Sequence, residues 1–187
     1  MARIWMLVVA AAMMFGANTA EASLMGSQVK VNYYFPDLAH AYATQTVTVG
    51  AGSEIACPGG SPLCVLVGDF DLDIVASSVT VRLGYMGIFN KTSFNGFSFE
   101  NLDFGDGAVL SGVALDTNIL GLDLSRVSFG DHFVRINLSE LYFTSQSFFA
   151  LNFTTSDAAA VPEPAALGLL GLGLITLGAG LRRRRGV

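Results

Sequence analysis

The sequence predicts an all-β fold: a single jelly-roll-like β-sandwich flanked by an N-terminal helix and a C-terminal helix. Short runs of β-forming residues, separated by Gly, Asp, Asn and Ser, fill the chain from Val29 to Thr154. No convincing amphipathic helix precedes Pro162. Between its apolar ends the 187-residue chain keeps about 135 residues, enough for one core and too few for two. We therefore place one sandwich of roughly eight to ten strands at residues 23–153.

The clearest strand pair is predicted at 70–75 and 79–83. In the second of these, polar and apolar residues alternate strictly from Ser78 to Leu83, which is typical of a half-buried strand. The Gly- and Pro-rich segment 50–63 predicts a loop. Gly130 and Asp131 predict a tight hairpin between two strands. The other predicted strands cover 29–35, 43–49, 93–99, 108–115, 127–129, 133–138 and 148–154.

Residues 1–22 have the three parts of a secretory signal peptide. Arg3 supplies a positive start, residues 4–15 form an apolar stretch, and Ala20-Glu21-Ala22 is an A-x-A cleavage site. Cleavage after Ala22 would leave Ser23 as the first residue of a chain exported by the Sec translocation machinery. The alternative is an uncleaved N-terminal anchor, which the short apolar length and the A-x-A disfavour.

The C-terminal segment 161–187 has three parts in a fixed order. Pro162-Glu163-Pro164 predicts a stiff, extended stretch, since each proline restricts itself and the residue before it. Residues 165–181 carry no charge and predict a transmembrane helix of about 26 Å. Four basic residues follow at once and would hold that end in the cytoplasm: Arg182, Arg183, Arg184 and Arg185. The small and polar segment 154–160 predicts a linker between the sandwich and this segment.

By residue type and order, VPEP followed by a Leu/Gly-rich helix and RRRR resembles the PEP-CTERM sorting signal, whose module is also labelled an ice-binding protein C-terminal domain. The resemblance implies a protein exported across the inner membrane of a Gram-negative bacterium. It implies that the membrane enzyme exosortase cuts near Pro162-Glu163-Pro164, after a transient inner-membrane anchor, and passes the domain to the cell envelope or the extracellular space. A role linked to exopolysaccharide is likewise implied by the resemblance alone. A permanent anchor is the alternative fate.

The charge of the central region restricts the partners. Between Ser23 and Val161 there are thirteen acidic and five basic residues, so this region is near −8, while the whole chain is −5. A strongly negative domain argues against nucleic acid and anionic lipid as partners.

Two side-chain sets are candidate sites. Cys57 and Cys64 flank a Pro/Gly loop in an exported chain, which predicts a disulfide. Asp69, Asp71 and Asp73 alternate along a predicted strand, so all three carboxylates would project from one face. Such a face is either solvated or shares a hard cation such as Ca²⁺, and the first alternative is favoured.

No residue pattern nominates a catalytic site, and we expect no enzymatic activity. His40 and His132 lie near no recognisable nucleophile, and neither G-x-S-x-G nor H-E-x-x-H occurs. The sequence therefore favours a structural or adhesive protein, followed by a Ca²⁺-assisted carbohydrate-binding module, with a secreted hydrolase third. Because the one Trp, Trp5, lies in the signal peptide, an aromatic platform for sugar would have to use tyrosines: Tyr33, Tyr34, Tyr42, Tyr85 or Tyr142.

Overall fold

The structure, a computed structural model, describes residues 22–156. These residues form antiparallel β-sheets with very little helix, which confirms the all-β prediction. Within this part of the chain no helix is long and apolar enough to cross a membrane. The predicted signal peptide (apart from Ala22), the end of the predicted linker and the C-terminal segment with its predicted helix at 165–181 lie outside the described residues.

The elements of the described region follow one another along the chain, and two helical segments interrupt the strands. They are β1 (Gln28–Tyr34), β2 (Ala41–Thr48), β3 (Ile55–Ala56), the helix α1 (Pro62–Val67), β4 (Phe70–Val75), β5 (Ser78–Leu83), β6 (Gly87–Ile88), β7 (Gly96–Glu100), β8 (Val109–Thr117), a 3-10 turn (Leu124–Arg126), β9 (Val127–Gly130), β10 (Phe133–Asn137), β11 (Tyr142–Phe143) and β12 (Phe148–Ser156).

Two five-stranded sheets make up the sandwich. One has the order β2-β1-β7-β10-β9 and the other the order β3-β4-β5-β12-β8, while β6 and β11 form a separate short ribbon. Every pair is antiparallel. The sheets meet through aromatic rings: Phe97 of β7 lies 5.5 Å from Phe70 of β4 and 6.0 Å from Phe149 of β12, measured between ring centroids.

The jelly-roll part of the prediction is not found. A jelly roll is made of two Greek keys, in which a fourth strand lies beside the first of three hairpin-connected strands. Here β12 lies beside β5, the third of the consecutive strands β3, β4 and β5. In the other sheet the hairpins β1–β2 and β9–β10 remain within one sheet, because short turns return each strand beside its predecessor.

Apolar and polar residues alternate along the strands, and this alternation determines which side chains form the core, as expected for sheets with one buried face. In β5, Val79, Val81 and Leu83 are buried, whereas Arg82 between the last two is exposed. The predicted pair at 70–75 and 79–83 is confirmed as β4 and β5, which pair from Phe70↔Leu83 to Val75↔Ser78. The predicted hairpin is confirmed between β9 and β10, with Gly130 paired to Phe133.

The end of the domain differs from the prediction. β12 continues to Ser156, three residues into the predicted linker 154–160. The extension is paired, since Thr154, Thr155 and Ser156 stand opposite Gly112, Leu110 and Val109 of β8. Pairing with a long neighbouring strand overrides the polar composition from which the linker was predicted.

Candidate functional site

A pocket of about 240 Å³ opens at one end of the sandwich. It lies where β1 ends and β2 begins, and where α1 and the segment after β5 approach each other. Aromatic and aliphatic side chains form most of its wall, among them Tyr42, Leu66, Tyr85 and Phe143. All twelve of its lining residues are uncharged. Small-ligand pockets are concave and combine apolar walls with a few placed polar groups, and here polar and apolar atoms share the pocket surface about equally.

The polar part of this pocket is built on Asn95, which is 3% exposed. The Tyr33 hydroxyl donates to Asn95 Oδ1, and Asn95 Nδ2 donates to the Asn90 carbonyl at 3.0 Å. An amide nitrogen has two hydrogens. Among residues 22–156 Asn95 Nδ2 has one acceptor, the Asn90 carbonyl, and Asn95 lines the pocket.

Tyr85 closes another side of the pocket and is held by helix α1. Its hydroxyl donates to the Val67 carbonyl at 2.6 Å, and its ring packs edge-on against Phe143 at 5.0 Å. The close approach depends on Gly68, because a Cβ there would lie 2.7 Å from the Tyr85 ring. Gly68 also has φ of +107°, a backbone conformation that other residues rarely adopt.

The phenols of Tyr33 and Tyr85 are neutral. Burial raises the pKa of the Tyr33 hydroxyl, and the nearby Tyr85 raises it further. Burial also raises the pKa of Tyr85. Each hydroxyl already donates one hydrogen bond, so what it offers a ligand is a lone pair.

The predicted disulfide between Cys57 and Cys64 is present and supports one wall of this pocket. Cys64 belongs to α1, whose Leu66 and Val67 line the pocket. The helix begins with Ser61 as its N-cap, the Ser61 hydroxyl accepting from the Leu63 N–H at 3.1 Å. A six-residue helix is too short to be stable alone, so the cap and the disulfide hold it in place.

The aspartates predicted to share one face do not gather into a metal site. Asp69 is exposed just before β4, while Asp71 and Asp73 project from the outer face of β4 and are half-buried. Within residues 22–156 no three His, Cys, Asp or Glu side chains lie close enough to hold one metal ion. The Ca²⁺ hypothesis therefore stays a prediction without a ligand set.

The pocket and the two ends of the described chain lie at opposite ends of the sandwich. The Leu24 N–H donates to the Ala76 carbonyl, and the Phe153 N–H donates to the Ser77 carbonyl, both at 2.8 Å. Ala76 and Ser77 form the turn after β4, whereas the pocket residues Val67 and Tyr85 flank the other end of the β4–β5 pair. A six-residue strand separates the two ends, which is about 17–20 Å.

Sequence reasoning named three of the pocket tyrosines, Tyr33, Tyr42 and Tyr85, as candidates for sugar contact, but did not bring them together. Of the other two named there, Tyr34 lies on the outer face of the first sheet, and Tyr142 is exposed on β11. Asn95 and Leu66 were missed. The apolar run 85–89 was one sequence signal for this surface. Met86 and Ile88 in that run are exposed, and exposed apolar residues next to one another often mark a binding surface.

Comparison with known proteins identifies one segment of the chain. A family model described as the PEP-CTERM protein-sorting motif matches residues 160–185. The match confirms the resemblance seen in the sequence, and it implies an exported protein that exosortase processes on the way to the cell envelope. No curated protein and no solved structure matches the chain. The predicted site residues Ala20, Pro162, Glu163, Pro164 and Arg182–Arg185 lie outside the described residues.

Proposed function

We propose that the protein is a structural or adhesive component of the outer cell surface or extracellular matrix, associated with exopolysaccharide, and not an enzyme. The PEP-CTERM match at residues 160–185 carries the proposal, because it marks the chain for export and processing. After processing, the β-sandwich is the working part of the molecule. In a Gram-negative cell the predicted helix at 165–181 would be the transient inner-membrane anchor, with Arg182–Arg185 in the cytoplasm.

The layout of the domain supports a surface role. The last described residue, Ser156, lies at the end of the sandwich where Leu24 also lies, and the sorting segment follows it in the chain. The pocket opens at the opposite end. An anchor beyond Ser156 would therefore leave the pocket directed away from the membrane and accessible to large partners.

Intact-mass measurement of the protein recovered from its native cells, fraction by fraction, tests this proposal. We expect a species that begins at Ser23 and ends near Pro162–Pro164, outside the inner-membrane fraction. The matched variants are Glu163→Ala, which alters the motif, and Ser156→Ala, which alters a residue before it. Glu163→Ala should accumulate as a full-length membrane species, while Ser156→Ala should be processed as the parent is. A parent protein that keeps Arg182–Arg185 in the inner membrane would instead be a permanently anchored protein, and the exosortase step would not apply.

A further inference from the structure

We infer that the end pocket binds a single neutral sugar residue of a polysaccharide chain. The inference deepens the proposed function, on which it rests for access to such a polymer. The reasons are the size of the pocket, its lack of charge, and the hydrogen-bonding groups that it leaves open.

Size restricts the occupant to one small group. Pockets for drug-sized molecules typically have about 300–1,000 Å³. At about 240 Å³ this pocket is smaller, so it suits one ring or one side chain. The rest of a polymer would lie across the mouth, where Tyr42 is 50% exposed and Ile88 is 60% exposed.

Charge restricts the occupant further. None of the lining residues is ionic, and the surrounding domain is acidic. A carboxylate or phosphate brought into this pocket would lose its hydration without gaining a cationic partner, which is strongly unfavourable. A cation would likewise find no carboxylate in the lining.

The open hydrogen-bonding groups separate a sugar from an apolar side chain. The pocket offers one N–H of Asn95 and lone pairs on the Tyr33 and Tyr85 hydroxyls. Hydroxyl groups both donate and accept, so adjacent sugar hydroxyls satisfy such a mixed set. An apolar side chain would cover the Asn95 N–H and leave it without a partner, which is costly.

The aromatic wall completes the match. The faces of aromatic rings carry partial negative charge, and the C–H bonds of a sugar ring carry partial positive charge. Tyr42 can offer such a surface at the mouth, while Phe35 lies edge-on to it at 6.1 Å and fixes its position.

Calorimetric titration of the exported protein, in the form recovered from its own cells, tests the inference. The probes are oligosaccharides of glucan, mannan and galactan, with oligogalacturonate as the acidic comparison. We expect saturable binding of at least one neutral probe and none of oligogalacturonate. Tyr42→Ala should weaken that binding about three- to tenfold, since one aromatic contact is lost. Tyr142→Ala is the matched control: Tyr142 is 63% exposed and outside the pocket lining, so binding should be unchanged.

Three results would overturn the inference. They are no binding of any neutral probe, equal binding by Tyr42→Ala and the parent, and a dimer in sedimentation that Tyr42→Ala dissociates. The last would make a second copy of the chain the occupant. These binding results do not depend on whether exosortase processes the chain, and processing does not depend on sugar binding. The inference and the proposed function can therefore fail separately.

Discussion

The ring of Phe97 lies 5.5 Å from the ring of Phe70, and this contact joins the two sheets of the sandwich. Phe97 comes from β7 at the centre of one sheet, and Phe70 comes from β4 of the other. The Phe97 ring also meets Tyr33 edge-on at 5.1 Å, and Tyr33 lines the pocket. One fully buried side chain therefore connects the packing of the sandwich with the position of a candidate ligand group.

Phe97→Ala should lower the free energy of unfolding by about 3–5 kcal/mol, since it removes a buried ring and leaves a cavity between the sheets. Urea denaturation measures the change. Phe129→Ala is the control because Phe129 is 44% exposed at the edge of the same sheet, and it should cost less than about 1 kcal/mol. A Phe97→Ala protein as stable as the control would mean that the sheets do not pack at this point.

The free energy of unfolding should fall in acid, partly because the Glu100 carboxylate becomes protonated. Burial alone would raise the pKa of this carboxyl, but hydrogen bonds from Ser98 and Lys30 and the Lys30 charge outweigh burial and hold the pKa below its usual value. A carboxyl whose pKa is depressed by folding stabilises the fold at any pH above its unfolded pKa and loses that contribution as pH falls through the folded pKa.

Glu100→Gln should therefore show a smaller loss of stability than the parent between neutral pH and about pH 3. Urea denaturation at several pH values measures the two profiles. Glu140→Gln is the control, because its ion pair with Lys91 is exposed and such pairs contribute little. Parallel profiles for the parent and Glu100→Gln would show that the Lys30–Ser98–Glu100 cluster does not stabilise the ionised carboxylate.

Asp73→Thr should stabilise the domain by about 0.5–1 kcal/mol. Among residues 22–156 Asp73 Oδ1 is buried without a hydrogen-bond partner, and so is Asp71 Oδ1 on the same face of β4. Threonine suits a strand better and removes one of two like charges. Thermal denaturation measures the change. Asp116→Thr on β8 is the control, since Asp116 is exposed on the same sheet.

Calcium titration of the same proteins tests the sequence-based Ca²⁺ hypothesis. If Ca²⁺ raises the melting temperature of the parent and Asp71→Ala abolishes the rise, Asp71 and Asp73 are ligands, and Asp73→Thr should then weaken the site. If the melting temperature does not respond to Ca²⁺, the aspartates hold no cation, and their buried oxygens, which have no partner within residues 22–156, are a cost that Asp73→Thr relieves.

The sequence predicted the long strands well and the pocket poorly, for a physical reason. Alternation in 70–75 and 79–83 reflects one buried and one solvated face, which is a local property, and it located β4 and β5. Helix α1 has no such signal: PLCVLV is a short, β-branched-rich stretch that a cap and a disulfide hold as a helix. The sequence predicted a loop at 50–63 and a strand at 70–75, and it predicted no helix at the position of α1.

The pocket depends still less on local sequence. Its residues run from Tyr33 to Phe143 and meet only because β1 and β5 end, and β7 begins, on the same side of the sandwich. Asn95 is one of many asparagines in turns, and its burial follows from its place between Tyr33 and the Asn90 carbonyl. Strand order decides which ends meet, and the sequence predicted no strand order.

Removal of the disulfide by Cys57→Ser with Cys64→Ser should affect both stability and the pocket. Closing a loop of this length is worth about 2–3 kcal/mol in the chain-entropy model, so the free energy of unfolding should fall by that amount. Locally, α1 should loosen, because a helix of six residues does not persist without tertiary support. The wall formed by Leu66 and Val67 and the hydrogen bond from Tyr85 to the Val67 carbonyl would loosen with it.

Hydrogen exchange of 62–67 and titration with the neutral oligosaccharides measure the two effects. We expect faster exchange in α1 and weaker binding, while exchange in β4 and β5 changes only with global stability. Tyr85→Phe separates the contributions: it keeps the disulfide and the ring but removes the hydroxyl that holds the Val67 carbonyl. If the double serine variant exchanges and binds as the parent does, then packing of α1 on the sandwich, and not the disulfide, positions the pocket wall.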